Sequence, residues 1–592
     1  MEVHLSAMGH RRSTATLTAL LNGTLGAFAA ATATYDVRSN TSSQCRYLPG
    51  DAQWPGEAAW AQLNVTVGGR LVAGKPLGQS CFEADFNVTK CDAIKSEWTD
   101  VQPYITDPVN IMSPYWVNNS CNPFFGPNST CTLGDLANYA IRVEDPQDAA
   151  AGVNFAQKKN IRLTIKNTGH DVLGRSGGKG SLGLWTHNLK NITFLEYSSP
   201  NYTGPAARLG AGVEYSDVQQ IASKNGLRVL GGSCPTVGIV GGFTQGGGHG
   251  PLAAAYGLGA DQVLEWEVVT ADGQHTTASP AQNPDLFWAM RGGGPGNYAV
   301  ALSVTVKAYS DGPVAGAGFR LVKDIDNSYW EAISAFLRYL LVLDTIKGYM
   351  SGFTITATAF ELGFTLRPDA TSAENATAPL APLMAELDAL NVTLTNYTAI
   401  LSDNYADWFD TWAARLTSAT NVGGGGRLIP RAAVRDNLTA VVGVLRDIIE
   451  NSTEVGGIGI SGLAVNVTEA RVGPAAAPGA SAVLPAWRDA LFQLIFAYRI
   501  ATDADWDTLS TGQAFANEKQ DELRAVTPGG GAYMNEATWD NPNWKEDYFG
   551  SNYARLLAIK AEYDPNNLFW AEAAVGSDVS WVIAADGRLC KP

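Results

Sequence analysis

No run of lysine and arginine occurs anywhere in this chain, no apolar stretch is long enough to cross a bilayer, and histidine is scarce. Charged residues are only 17% of the 592 positions, and Asp plus Glu outnumber Lys plus Arg 57 to 41, giving a formal charge of −16. Binding nucleic acid by counterion release needs a basic face, so nucleic acid is excluded as a partner, and anionic membrane surfaces are excluded on the same ground. The acid excess reads as a solubility feature. No membrane span is expected. The six histidines, at 4, 10, 170, 187, 249 and 275, form no ligand-spaced pair, so no metal site is expected.

What is present describes a folded, loop-rich protein. Hydrophobic residues make up 45% of the chain and aromatics 10%, with 16 Trp and 62 Gly. The length calls for two or three domains, each with its own core. Asn-X-Ser/Thr sequons stand at Asn40, Asn64, Asn87, Asn118, Asn128, Asn191, Asn201, Asn375, Asn391, Asn396, Asn437, Asn451 and Asn466. So many, so widely spread, favour passage through a glycosylating secretory route with N-glycans attached. The N-terminus agrees: His10-Arg11-Arg12 precedes an apolar segment from Leu17 to Phe28, interrupted by Asn22-Gly23, and then small residues. This predicts a signal peptide over 1–34 and a secreted or lumenal protein.

Cysteine parity bears on the same point. Of seven cysteines, six can pair in an oxidising compartment, and the ten-residue separations of Cys81 from Cys91 and of Cys121 from Cys131 favour two local loops. Cys45 and Cys590 would then join the chain ends, although other pairings are open. Cys234 is left over.

Read in order, residues 35–137 are rich in Cys, Trp and Pro and predict a disulfide-stapled extension wrapped on a larger body, or alternatively a lid. From 138 to 311 helix and strand patterns alternate. A helix is predicted over 146–160, ending near Asn160, and Ile161 to Ile165 alternates as a strand running into Lys166-Asn-Thr-Gly-His170-Asp171. A second helix, Tyr215 to Gly226, precedes the strand Leu227 to Leu230, which feeds Gly231-Gly-Ser-Cys234-Pro-Thr. Each loop thus offers one nucleophile among glycines that allow close backbone approach to a ligand. The following Val237 to Gly250 segment exposes many backbone N–H groups without large side chains, as a pyrophosphate cradle requires when basic residues are few.

From 312 to 515 longer helical patterns appear, at Ser328 to Val342, Leu380 to Leu390 and Arg431 to Glu450, between strandlike runs such as Tyr349 to Leu366. Gly423 to Gly426 and Pro474 to Pro485 read as surface loops. Gly457-Ile-Gly-Ile-Ser-Gly462 is a formal GxGxxG match, discounted because no helix opens at its last glycine. Residues 516–592 carry an amphipathic helix that stops before Asp564-Pro565.

The motifs Lys166-Asn-Thr-Gly-His-Asp171, Gly231-Gly-Ser-Cys-Pro, Gly246-Gly-Gly-His-Gly250, Tyr256-Gly-Leu-Gly-Ala-Asp261, Asp285-Leu-Phe-Trp-Ala-Met-Arg-Gly-Gly-Gly294 and Tyr563-Asp-Pro-Asn-Asn-Leu-Phe569 occur in that order. Together they resemble the berberine-bridge-enzyme-like branch of the vanillyl-alcohol-oxidase type of FAD enzymes, in its fungal secreted form. The resemblance implies an α+β fold. An FAD-binding domain of the PCMH type, built of two α+β subdomains, would span 138–311. A substrate domain with an antiparallel sheet backed by helices would span 312–515, and 516–592 would return to the FAD domain. It also implies FAD bonded through His170 and Cys234, residue types suited to attack an electron-poor flavin.

The same resemblance puts Thr168, Gly169, Asp171, Gly174 and Arg175 at the pyrophosphate, and Gly242, Gly247, Gly248 and Val268 around the cofactor. Asn552 reads as a flavin contact or a domain-closing residue. His249 reads equally as a structural residue of a tight turn. For catalysis it points to the Tyr533-Met-Asn535 motif, where relatives often carry Tyr next and this chain has Glu536. Glu536 is the expected base if burial favours it, with Tyr533 the runner-up. The expected activity is hydride removal from an alcohol, sugar or secondary-metabolite carbon, with dioxygen reduced to hydrogen peroxide. The alternative is a natural-product tailoring enzyme that oxidises, desaturates or cyclises.

Overall fold

A computed structural model describes residues 45–592 except 83–84, 118, 324–327 and 414–420. The expected signal peptide and the Asn40 and Asn118 sequons lie outside the described residues.

The first module holds two sheets. One has four strands in the order Leu71–Ala73, Tyr139–Arg142, Ser181–Trp185, Arg162–Lys166, parallel except at the first pair. The helix Pro146–Lys159 lies against it for reasons visible in the residues. Asp145 caps it by accepting from the Asp148 N–H at 2.9 Å, Pro146 occupies the first turn, and Asn160 ends it in the left-handed region at φ 52°. Its buried face is Ala149, Gly152, Val153 and Ala156, and a Cβ at Gly152 would stand 2.4 Å from Leu184. The second sheet runs Ile192–Ser199, Tyr202–Gly210, Ala299–Ser310, Val263–Thr270, His275–Ala278, with Leu227–Val229 also paired to Ala299–Ser310.

The second module is a seven-stranded antiparallel sheet in the order Leu394–Ser402, Val314–Val322, Ala359–Pro368, Met350–Ile355, Ile458–Ala464, Ala490–Arg499, Val422–Pro430. The helices Ser328–Leu343, Arg431–Glu450 and Trp506–Val526 share its second hydrophobic core. The GxGxxG match falls on the strand Ile458–Ala464. Architecture and sheet order agree with the α+β expectation.

Two loop expectations are corrected here. Gly423 to Gly426 lie in the strand Val422–Pro430 and not in a surface loop, because neighbouring side chains fill the space beside them: a Cβ at Gly423 would meet the Tyr498 ring at 2.4 Å, and one at Gly425 would meet Gln520 Oε1 at 2.6 Å. Likewise Ala482, Val483 and Leu484 of the Pro474 to Pro485 segment are buried. The Ala482 N–H donates to the Arg291 carbonyl at 3.0 Å, and Arg291 donates back to the Ala480 carbonyl at 2.9 Å. Among the sequons, Asn466 is buried and its amide donates to Asp344, so it presents no acceptor for a glycan.

Disulfides join Cys45 to Cys590, Cys81 to Cys91 and Cys121 to Cys131, the pairing favoured by spacing, and Cys234 remains a thiol. Among the described residues no helix is long and apolar enough to cross a membrane.

The C-terminal segment is locked to the first module by a buried ion pair. Lys560 Nζ, on the helix Tyr553–Tyr563, donates to Asp564 at 2.7 Å and to the Asn297 and Phe569 carbonyls at 2.6 Å each, while Asp564 accepts from the Leu568 and Phe569 N–H groups. Asp564→Ala would strand the ammonium without its counter-charge. Such a loss costs ~3–5 kcal/mol, and equilibrium unfolding in denaturant should show a fall of that order, with Asp564→Asn falling less.

Candidate active site

A cavity of about 1130 Å³ lies between the two modules. Drug-sized ligands occupy roughly 300–1,000 Å³, so there is room for a dinucleotide with a substrate beside it. Four segments wall it: the loop from Asn167 to Ser176, the loop from Gly232 to Phe243, the glycine-rich face of the seven-stranded sheet, and the Tyr533 to Trp539 stretch.

Both expected nucleophiles are on the wall, and one hydroxyl joins them. Thr236 Oγ1 is 2.8 Å from His170 Nε2 and 3.5 Å from Cys234 Sγ. With Nε2 so engaged, Nδ1 is the ring nitrogen that Thr236 does not hold. Burial, with the nearby Lys166 ammonium, pulls the His170 pKa down to about 4, so the imidazole is neutral at neutral pH. Thr236 belongs to the cysteine loop quoted in the sequence analysis, but nothing in its residue type marked it.

The strand Arg162–Lys166 delivers the histidine loop, and its last residue anchors it. Lys166 Nζ, almost fully buried, donates to the Tyr104 and Asp107 carbonyls at 2.8 and 2.6 Å, and burial lowers its pKa to about 7. Asp171 shapes the loop from inside, accepting from the Leu173, Arg175 and Ser176 N–H groups. Thr168, Gly169, Asp171, Arg175 and Gly242 all line the cavity. A Cβ on Gly242 would meet nothing closer than 4.0 Å, so backbone there faces open space a ligand can fill. Asn167 Oδ1 and Arg175 Nε, both on this wall, have no hydrogen-bond partner. Two nucleophiles, a glycine wall and orphaned polar groups fit a bound FAD.

Other expected contacts stand off the wall. Gly174 is required because its φ is +72° and a Cβ would meet the Trp116 ring at 2.3 Å. Gly247 and Gly248 lie behind the wall, where a Cβ on Gly248 would meet Phe243 at 2.7 Å. Val268 is a fully buried core residue of the strand Val263–Thr270. Asn552 donates to the Val483 carbonyl at 3.0 Å and closes the segment junction.

Tyr533, Asn535 and Glu536 all line the cavity. The Tyr533 hydroxyl accepts from Asn535 at 2.8 Å and donates to the Phe243 carbonyl at 3.4 Å. Burial first and Glu536 second push its pKa well above the usual phenol range. Glu536 Oε2 lies 2.9 Å from His249 Nε2. That contact spans 287 positions of sequence, so local pattern could not reveal it.

The disulfide-stapled extension also reaches the site. Met112, Ser113 and Tyr115 line the cavity, and the Tyr115 ring packs 5.1 Å from Trp506 and 5.2 Å from Trp539. Asn119 and Asn122 donate to the Ala504 and Thr502 carbonyls across the gap. The extension therefore bridges both modules beside the cavity.

Fold and site together define a flavin-binding oxidoreductase. Residues 137–279 match the family model described as FAD binding domain, and 532–576 match the one described as berberine and berberine like. The chain is 41% identical to the bifunctional decalin synthase calF of Penicillium decumbens over 94% of its length and 97% of the relative's. It is 39% identical to the VAO-type flavoprotein oxidase VAO615 of Thermothelomyces thermophilus over 93% and 96%. The crystal structure of the VAO-type flavoprotein MtVAO615 from Myceliophthora thermophila superposes with a TM-score of 0.86 at 38% identity, covering 93% of this chain and all of that one. Glucooligosaccharide oxidase from Acremonium strictum, described with a 6-S-cysteinyl, 8α-N1-histidyl FAD, shares the fold at a TM-score of 0.60 and 20% identity. The chain belongs to the berberine-bridge-like, VAO-type family of FAD-linked oxidoreductases, and its cofactor is FAD.

The depressed histidines give a pH dependence. His187, buried and close to Lys190, is also held down to about 4 by burial and that charge. A histidine bound more weakly to protons when folded contributes stability above the unfolded pKa, lost as pH falls from about 6.5 towards 4. His170 contributes on the order of 3 kcal/mol, and His187, which solvent screens in part, less than that. Urea unfolding of the apoprotein should show stability falling through this window, and His187→Gln should make the fall shallower.

Proposed function

We propose that this chain is a secreted oxidase whose FAD is bonded through both His170 and Cys234, and that Glu536 takes the proton from a substrate hydroxyl. The observation that carries the reading is Thr236: one hydroxyl holds a neutral imidazole and a thiol together on the wall that faces Glu536's carboxylate across the same cavity. His170 and Cys234 would hold the flavin by replacing one C–H with a C–N bond and another with a C–S bond, the two electrons and two protons of each exchange passing to dioxygen as hydrogen peroxide. Bound there, FAD supplies a hydride acceptor for the substrate carbon and a route for its electrons to dioxygen, giving hydrogen peroxide. The chain's own groups do the rest. Glu536 holds the proton, Asn535 and Phe243 hold the Tyr533 phenol away from that task, and the extension with Tyr115 excludes water.

Secretion is supported by the three disulfides and by sequons exposed at Asn87, Asn128, Asn191, Asn201 and Asn396, among others. The natural-product reading of the substrate is favoured by Phe364 and Trp412 on the sheet side of the cavity and by the decalin synthase relative.

Protein purified from a fungal host should be yellow and keep its colour in the pellet after acid precipitation. The double variant His170→Ala/Cys234→Ser should release its flavin to the acid supernatant. Release from the wild type, or a colourless preparation, would overturn the covalent reading. Peroxide release should be measured over a panel of alcohols, sugars and polyketides, and Glu536→Gln should lower kcat by roughly 10²–10⁴-fold.

A further inference from the structure

We infer that His249 is the positioning residue of a carboxylate–imidazole pair in which a neutral His249 donates its Nε2 proton to Glu536 and so presents the other carboxylate oxygen, Oε1, to an alcohol or phenol O–H in the cavity. The inference rests on the reading of Glu536 as the base and adds what holds it in that state.

The geometry is specific. Nε2 and Oε2 are 2.9 Å apart, with the imidazole side chain 9% and the carboxylate 28% exposed. The ring is fixed on both sides, 5.3 Å from Trp487 and edge-on to Tyr533 at 5.0 Å. Its other nitrogen, Nδ1, is sealed from solvent and has no partner. An imidazolium would bury an N–H at Nδ1 with no acceptor, whereas the neutral Nε2–H tautomer leaves only an unfilled lone pair there. The pair is therefore an N–H donor on a carboxylate, with the ring uncharged. Oε2 is occupied by that donor, and Oε1 carries no hydrogen bond to any described residue. Because Glu536 lines the cavity, Oε1 is the atom able to meet a substrate proton.

The neighbouring ionisable groups leave this task to Glu536. Tyr533 spends its hydroxyl on Phe243 and Asn535, and Arg175 reaches the pair only through Asn535 Oδ1, at 3.4 Å. Trp487 brings no charge, and the sheet side approaches with backbone, since a Cβ on Gly426 would lie 2.5 Å from the Glu536 carbonyl. The proton leaves the substrate oxygen for Oε1, and the Nε2–H···Oε2 bond stays in place throughout. Sequence motifs on both sides supplied the pair: the Gly246 to Gly250 stretch brings the histidine, and the position after Asn535 brings a carboxylate.

The test uses holoenzyme labelled with [15N]histidine. His249 is assigned by its absence in His249→Gln. Across the neutral range its signals should report a protonated Nε2 and a bare Nδ1, and Glu536→Gln should shift them. A doubly protonated His249 at neutral pH, or signals unmoved by Glu536→Gln, would overturn the pair. In stopped-flow reduction by the panel alcohol that reacts fastest, His249→Leu should slow the step with KM little changed. The loss should stay below the roughly 10²–10⁴-fold expected of Glu536→Gln, and the pH at which the rate half-falls should move. His249→Gln, which keeps an N–H donor, should recover much of the rate. Should Glu536→Gln reduce as fast as wild type while the NMR pair persists, the base reading fails and the pair stands as structure only.

Discussion

Lys166 sets the position of the site. Its ammonium sits at the end of a parallel strand, where water does not reach, and is satisfied by two carbonyls of the disulfide-stapled extension. Burying such a group is tolerable only when its protons are bonded, so strand, extension and the His170 loop must be placed together. From that point the loop runs out to the nucleophile, Asp171 folds it back on its own N–H groups, and Trp116 covers the glycine at 174 while donating its indole N–H to the Val172 carbonyl at 3.1 Å. The extension continues across to the second module through Asn119, Asn122 and Tyr115. The anchor for the nucleophile is thus also the anchor for the roof.

The second module meets the cavity with the strands of its seven-stranded sheet, several of them rich in glycine. Strand glycines at 423 and 425 are where Tyr498 and Gln520 lie, and a side chain at either position would displace them. The same exchange occurs between Gly352 and the Phe364 ring, which a Cβ would approach to 2.5 Å. Rings supplied by neighbouring strands thus occupy the volume the glycines vacate.

What could be read from the residues follows the range of each interaction. The helix at 146–159 was legible because its cap, its proline and its closing asparagine are all local, and the helix Arg431–Glu450 because its apolar period is regular. That His170 and Cys234 share one wall was legible because each stands in a glycine-rich loop after a strand. The glycine strand at 423 was misread as a loop because glycine's local meaning is flexibility, while its reason here is a tyrosine on another strand. Gly174, Gly247, Gly248 and Val268 were assigned to the cofactor by motif membership, and their actual neighbours are Trp116, Tyr533, Phe243 and the sheet core. The His249–Glu536 contact was invisible, since two motifs far apart each held half of it.

The scarcity of histidine then acquires a physical sense. Two of the four histidines among the described residues line this cavity: His170, kept neutral by burial beside an ammonium, and His249, whose Nε2 meets Glu536. A protonated His170 would be no nucleophile. The two rings share a residue type and differ in what each ring nitrogen reaches: His170 Nε2 meets Thr236 Oγ1, while His249 Nε2 meets Glu536 and its Nδ1 has no partner among the described residues.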